Sequence, residues 1–210
     1  MERDVTAEVR TAYRYWAPIY DVVCGEIFAN ARRAAVEASE GFGSRILEIG
    51  VGTGLSFKYY RRTDIDLVGI DLSWEMLKKA QRRVRSAPNP FVGGLINADA
   101  HRLPFRAAVF DCTLSQFMIT LVANPELVLE ECVRVTRPGG AIVVVSHLTS
   151  TQSRSFLRGA AVQSVARRLG LRPGFARERL LRWAQNRQDV TPFKYRQVGA
   201  HTLLISTKHR

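Results

Sequence analysis

The stretch Arg45 to Ser56, Arg-Ile-Leu-Glu-Ile-Gly-Val-Gly-Thr-Gly-Leu-Ser, constrains the fold more than any other part of the chain. Ile46, Leu47 and Ile49 form a short apolar run suited to a strand buried on both faces. Gly50, Gly52 and Gly54 follow at once, so the backbone can curl sharply and leave bare main chain for a ligand. The pattern predicts a strand, a glycine turn and then a helix starting near Leu55, with its free N–H groups pointing at that ligand. The G-x-G-x-G spacing alone is a weak signal, because many βα turns hold glycines for steric reasons only.

Two acids strengthen it. Glu48 stands just before the turn. Ile65 to Ile70 reads as a second strand with Asp71 at its end. An acid about 20 residues past a glycine turn, at the tip of the next strand, suits a ribose diol, since both carboxylate oxygens accept hydroxyl protons. The alternative makes Asp71 a cap for the helix beginning at Ser73-Trp74-Glu75-Met76.

Glu48-Ile-Gly-Val-Gly-Thr-Gly54, followed by Gly69-Ile-Asp71-Leu-Ser73, resembles the class I S-adenosyl-L-methionine methyltransferases. A hydride-transfer Rossmann enzyme is the competitor, but it normally carries its third glycine one residue later and has no counterpart of Glu48. The resemblance implies an α/β fold with a Rossmann-like seven-stranded sheet. It also implies S-adenosyl-L-methionine as methyl donor, S-adenosyl-L-homocysteine as product, and no metal. Tyr13, Tyr20, Glu48, Gly50, Gly52, Gly54, Asp71, Leu72, Met76, Asp99, Ala100, Ser115 and Gln116 become the expected cofactor contacts.

Length fits one domain over 1–210 with a substantial core. No window approaches the ~20 apolar residues that cross a bilayer, and the charged start Met-Glu-Arg-Asp leads into no signal core. Cys24, Cys112 and Cys132 are odd in number and lack C-x-x-C spacing, which suits reduced, mostly buried thiols. The net charge of +12 is the unusual quantity and implies an anionic partner.

Residues near Val5 to Ser39 are expected to be mostly helical, with Pro18 starting or kinking a helix and Ile27 to Ser39 forming a second one. Tyr13-Arg-Tyr-Trp16-Ala-Pro-Ile-Tyr20-Asp21 resembles the aromatic N-terminal segment of the methyltransferase branch that includes quinone and phospholipid methylases. In that branch this segment, here 1–40, folds over the cofactor as a lid. A core-packing helix is the plainer alternative. Glu75 to Arg85 reads as a helix with a solvated basic face. Phe91 to Ile96 is a poorly patterned third strand delivering Asn97-Ala98-Asp99-Ala100. In the family an Asp there accepts from the adenine amino group and the next N–H meets a ring nitrogen. An ordinary Asx turn is the alternative for Asp99.

Leu103-Pro-Phe105 resembles the family's short link into the fourth strand, Ala108 to Ser115. That strand ends in Gln116-Phe117-Met118 rather than the Asn/Asp-Pro-Pro motif of base-amino methylases, so a nucleic-acid partner is not expected. Pro125 to Thr136 reads as an amphipathic helix, Arg137-Pro-Gly-Gly140 as the turn into a fifth strand, Ala141 to Val145, and Ser146-His147 as its tip. Asp189 to Val198 and His201 to Thr207 read as two closing antiparallel strands.

Ser150 to Gln188 holds nine arginines against one acid, Glu178, for a local charge of +8. With Phe156, Leu157, Val162, Val165 and Leu169 interleaved, it reads as a basic amphipathic helical insertion at 150–188, of the kind that lies on an anionic membrane. A core-packed helix with a solvated Arg face is the alternative.

The aromatic N-terminus, Arg32-Arg-Ala-Ala-Val36, Ser115-Gln116-Phe117, Ser146-His147 and the Arg-rich insertion together resemble the soluble bacterial phospholipid N-methyltransferases of the Rhodobacter type. That likeness implies N-methylation of phosphatidylethanolamine and its mono- and dimethyl derivatives, leading to phosphatidylcholine. It also implies a cytoplasmic protein held peripherally on the inner face of the cell membrane. The family shows Asn-His where this chain has Ser146-His147. Within this reading Tyr20 or His147 is the catalytic proton acceptor. Tyr15, Tyr20 and Tyr195 form an aromatic pocket for the growing quaternary ammonium, and Arg154, Arg158, Arg167 and Arg168 meet the membrane. A quinone C- or O-methylase and, further off, an RNA methyltransferase are the rival enzymes. A non-catalytic S-adenosylmethionine-binding regulator is the rival outside catalysis.

Overall fold

The computed structural model describes residues 28–86, 91–148 and 175–209. In chain order these form α1 (Ala29–Glu40), β1 (Arg45–Ile49), a 3₁₀ turn (Phe57–Tyr59), β2 (Asp66–Asp71), α2 (Trp74–Ser86), β3 (Val92–Asn97), β4 (Phe110–Gln116), α3 (Pro125–Val135), β5 (Thr136–Ser146), α4 (Arg177–Gln185), β6 (Lys194–Val198) and β7 (His201–Thr207). The strands make one seven-stranded sheet in the order β3-β2-β1-β4-β5-β7-β6. The first five run parallel, and β7 is inserted antiparallel between β5 and β6.

β1 sits centrally, as its apolar run requires. Ile46 packs with Ala31, Ala35 and Val36 of α1 on one face; Leu47 and Ile49 join Val128, Leu129 and Ile142 on the other. Small residues let α1 lie close to the sheet. Full burial of each large aliphatic chain contributes ~1.5–3 kcal/mol. Chain order reverses between β1 and β4, so this switch point is where a crevice opens beyond the strand tips.

Polar side chains hold the strands in register. The Asp111 carboxylate accepts from the Ser44 and Arg45 amides at 2.8 and 3.0 Å and pairs with Arg137 at 2.9 Å. This pins the start of β1 to β4 and to the Arg137-Pro-Gly-Gly140 segment. The Leu103-Pro-Phe105 link is tied to α3: Arg134 donates to the Leu103 and Phe105 carbonyls, and Glu131 accepts from the Leu103 amide.

Three expectations are corrected. No α-helix starts near Leu55; the chain makes a 3₁₀ turn, because Phe57 packs beneath Gly54 and Tyr60 dives inward to bond Glu48. Arg137-Pro-Gly-Gly140 is not a turn preceding the fifth strand but a bulge within it. β5 pairs from Thr136 to Phe110, then resumes at Ala141 opposite Cys112. The sixth strand starts at Lys194 rather than Asp189, with Pro192 lacking the donor a ladder needs. Cys112 and Cys132 are buried free thiols, both pushed well up chiefly by burial, Cys132 to about 12. Cys24, residues 1–27 of the expected 1–40 lid and residues 150–174 of the expected 150–188 insertion lie outside the described residues.

Candidate active site

A cavity of about 170 Å³ lies beyond the tips of β1, β2 and β4. The glycine turn forms its floor. Gly50, Gly52 and Gly54 all adopt left-handed φ, at 73°, 57° and 76°. A Cβ on Gly54 would strike the Phe57 ring at 2.3 Å, so this glycine serves packing. A Cβ on Gly52 would meet nothing within 4 Å, so this glycine leaves room beside bare backbone.

Glu48, at the inner end, is almost fully buried. Its Oε2 accepts from Ser56 Oγ at 2.9 Å and Tyr60 Oη at 3.3 Å, and its Oε1 accepts from Gln116 Nε2 at 3.0 Å. Burial pushes the carboxyl up to about 7, against the lowering effect of these donors and of the Arg32 charge. Asp71, at the tip of β2, accepts from the Gly52 amide through Oδ2 and from the Ser73 amide through Oδ1. Burial raises its carboxyl, and the two amides offset part of that rise. Each oxygen keeps a lone pair for a hydroxyl. Asn97 Nδ2 donates to the Asp71 and Leu72 carbonyls and fixes this corner.

Asp99 Oδ1 accepts from both the amide and Nδ1 of His101, at 2.9 and 2.8 Å. Burial raises its carboxyl, but the two His101 bonds outweigh that and hold it below its ordinary value. Asp99 thus makes the Asx turn, and Asp99 and Ala100 both line the cavity. Leu72, Met76 and Gln116 also line it.

Several expected residues are not brought together here. Ser115 is buried and lies outside the lining, because strand alternation turns it away from the face that Gln116 occupies. His147, half-buried at the end of β5, does not line the cavity formed by the described residues. A three-residue turn closed by Leu148 N to the Ser146 carbonyl carries it aside. Its ring stands 5.9 Å from His201, which meets Phe117 edge-on, and Phe117 is the ring that reaches the cavity. Among the described residues His147 therefore stands beside the cavity, one ring removed from Phe117. Tyr195 does not line it either: it is half-exposed on edge strand β6, under the Arg177 guanidinium at 4.1 Å, and pairs with Leu204 of β7. Tyr13, Tyr15, Tyr20, Arg154, Arg158, Arg167 and Arg168 lie outside the described residues.

The structure adds residues that sequence reasoning did not place in the site. Arg32 of α1 is buried and lines the cavity, with its guanidinium over the rings of Phe28 and Phe117 at 5.7 and 5.3 Å. Phe117 holds φ of 60°, uncommon for a side chain of this size. It stacks on Phe28 with centroids 4.6 Å apart. The Arg32-Arg-Ala-Ala pattern marked α1, but not which arginine would be buried.

Residues 47–144 match the family model described as a methyltransferase domain. A solved structure from Thermotoga maritima, described as an S-adenosylmethionine-dependent methyltransferase and possible histamine N-methyltransferase, superposes with a TM-score of 0.70. It has 21% identity and is covered over 94% of this chain and 99% of that one. The sheet order is that of the class I S-adenosylmethionine-dependent methyltransferase fold. Among curated proteins, the phosphatidylethanolamine N-methyltransferase of Cereibacter sphaeroides is 35% identical over 172 residues, 82% of this chain and 84% of that enzyme. The chain belongs to the same methyltransferase family as that enzyme. A demethylmenaquinone methyltransferase of Paenarthrobacter aurescens is 36% identical over 142 residues, 65% of this chain and 54% of that enzyme.

Proposed function

We propose that this enzyme N-methylates phosphatidylethanolamine and its mono- and dimethyl derivatives at an anionic membrane surface, leading to phosphatidylcholine. The observation that carries this reading is the 35% identity to the Cereibacter enzyme across more than four-fifths of both chains. S-adenosylmethionine supplies an electrophilic methyl group on a sulfonium.

The chain's part is to bind and align. Asp71 takes the ribose hydroxyls, Asp99 and Ala100 the adenine edge, and Glu48 with Gln116 the amino-acid end. Leu72 and Met76 supply apolar walls. The head-group ammonium must lose a proton before its nitrogen carries a lone pair. Tyr20 accepts it directly in this reading, and His147 contributes only through water. Residues 1–40 act as a lid, with Tyr13, Tyr15 and Tyr20 around the head group. The 150–188 insertion docks on the inner face of the cell membrane through Arg154, Arg158, Arg167 and Arg168. Among the described residues no helix is long and apolar enough to cross a bilayer.

The test is incubation with labelled S-adenosylmethionine and mixed phospholipid vesicles, followed by lipid separation. Label in mono-, di- and trimethylated phosphatidylethanolamine is expected; label confined to another acceptor overturns the assignment. The match to a demethylmenaquinone methyltransferase supports a second reading, methylation of a quinone ring. A membrane-embedded quinone precursor in the same assay is its direct measure.

A further inference from the structure

Helix α2 has two unlike faces. Met76, Leu77 and Ala80 are buried, and Arg83 Nε donates to the Thr53 carbonyl at 3.0 Å, which fixes the side that faces outward. At 100° per residue that side gathers Trp74, Lys78, Gln81, Arg82 and Arg85 into one stripe about 16 Å long. All five are exposed, Trp74 by 55%. The helix carries five basic residues and one acid, Glu75. Lys78, Arg82 and Arg85 make no ion pair among the described residues. Basic side chains elsewhere on the surface do: Arg62 with Asp64, Arg179 with Glu126, Arg187 with Asp189. The stripe is thus an uncompensated positive surface with a large aromatic ring at one end. Leu72, exposed two residues before Trp74, is also a wall of the cavity, so that end lies at the cavity rim.

Charge complementarity selects the occupant. A protein interface keeps charge out of its centre, whereas here cations run the length of the stripe. A nucleic acid would stack a base on an open ring, but the Lys78 ammonium lies over the Trp74 ring, 5.9 Å from its centroid. An anionic bilayer suits both features. An indole sits at head-group level without needing a free face. Long basic side chains lay their stems along the apolar boundary and carry their charges to the phosphates. We propose that the outer face of α2 is a second membrane-docking surface, with Trp74 at head-group level and Lys78, Arg82 and Arg85 on anionic lipid, an inference that rests on the reading of this enzyme as one that works at an anionic membrane. Its contribution adds to that of the 150–188 insertion and brings the cavity rim at Leu72 toward the bilayer.

Sedimentation with vesicles of mixed phosphatidylglycerol and phosphatidylcholine tests this on wild type, Trp74→Ala and the triple variant Lys78→Gln, Arg82→Gln, Arg85→Gln. Each basic residue near an anionic leaflet is worth about fivefold in partitioning, so the triple variant should bind about a hundredfold more weakly. Trp74→Ala should bind about tenfold more weakly. Emission in vesicles carrying brominated lipid locates the indole directly. The difference spectrum between wild type and Trp74→Phe isolates Trp74 from Trp16 and Trp183, and it should be blue-shifted and quenched. Thermal melting within a few degrees of wild type certifies folding; should the triple variant fail that check, the Trp74 difference spectrum decides. Binding within about twofold of wild type in both variants, or a Trp74 spectrum that vesicles leave unmoved, overturns the α2 surface. RNA binding lost in the triple variant while vesicle binding is kept overturns it in favour of a nucleic acid. Wild type that binds no anionic vesicle removes the membrane reading itself. Wild type that binds vesicles and labels lipid, with both variants binding equally well, keeps that reading and removes only the role of α2.

Discussion

Asp71 Oδ2 accepts a hydrogen bond from the Gly52 amide at 2.9 Å, across 19 residues of chain. The carboxylate proposed to take the ribose hydroxyls is therefore also the clip that fixes the glycine turn against the tip of β2. On that proposal, binding and local stability are coupled at this one side chain. Asp71→Asn removes the charge and turns an N–H₂ toward an amide donor. S-adenosylhomocysteine affinity should fall by about tenfold or more, the scale of a lost charge-assisted bond. Thermal melting should drop by a few degrees at the same time. A variant with unchanged affinity in calorimetry would show that Asp71 serves the turn alone.

Glu48 gives a pH signature with a definite sign. Its carboxyl rises from an ordinary 4.5 to about 7, mainly through burial, so between those values the folded chain holds a proton that the unfolded chain has released. Stability from this group is therefore full below about 4.5 and declines as pH rises to about 7, by on the order of 3 kcal/mol in all. Glu48→Gln should flatten urea-unfolding free energy between pH 5 and 8 and exceed wild type at pH 8. An unchanged slope would refute the assignment. In wild type, donor affinity should rise through the same window, because a ligand ammonium favours the ionised carboxylate.

Gly52 and Gly54 should respond differently to the same methyl group. Gly54→Ala drives Cβ into Phe57 and should lower the melting temperature sharply. Gly52→Ala meets open space and carries only the left-handed backbone penalty of about 1–2 kcal/mol. Gly52→Ala should lose S-adenosylhomocysteine binding while remaining folded by circular dichroism. Equal loss of stability in both variants would contradict the division of roles.

Tyr195 offers a negative control. Its ring lies on the edge strand beneath Arg177, outside the cavity lining formed by the described residues. Tyr195→Ala should cost about 0.5–1 kcal/mol of stability, the scale of an exposed cation–π contact. Turnover and donor affinity should stay within about twofold. A large loss of turnover would restore Tyr195 to the substrate pocket.

Neutralising Arg154, Arg158, Arg167 and Arg168 tests the membrane reading. Each basic residue near an anionic leaflet contributes about 1 kcal/mol, so the fourfold variant should lose nearly all sedimentation with anionic vesicles. Its S-adenosylhomocysteine binding should be kept. Retained vesicle binding would move the docking surface elsewhere. Steeply salt-dependent RNA binding without vesicle binding would favour the rival nucleic-acid reading.

The sequence by itself determined the local pieces. An apolar run, three glycines and acids placed before and after them are short-range signals. They specified β1, its turn, the tip of β2 and the order of strands and helices, because periodicity and glycine spacing act within a few residues. The tertiary structure alone decided which side chains share the cavity. It put Arg32 in the wall, since only the packing of α1 on β4 and β7 determines which of two adjacent arginines is buried. It removed Tyr195, His147 and Ser115 from the lining, since an edge position, a turn at a strand end and strand alternation are set by register with distant partners. It also replaced the expected helix after the glycine turn by a 3₁₀ turn, because Tyr60 is drawn inward to a carboxylate 12 residues away, a long-range hydrogen bond that no local pattern records.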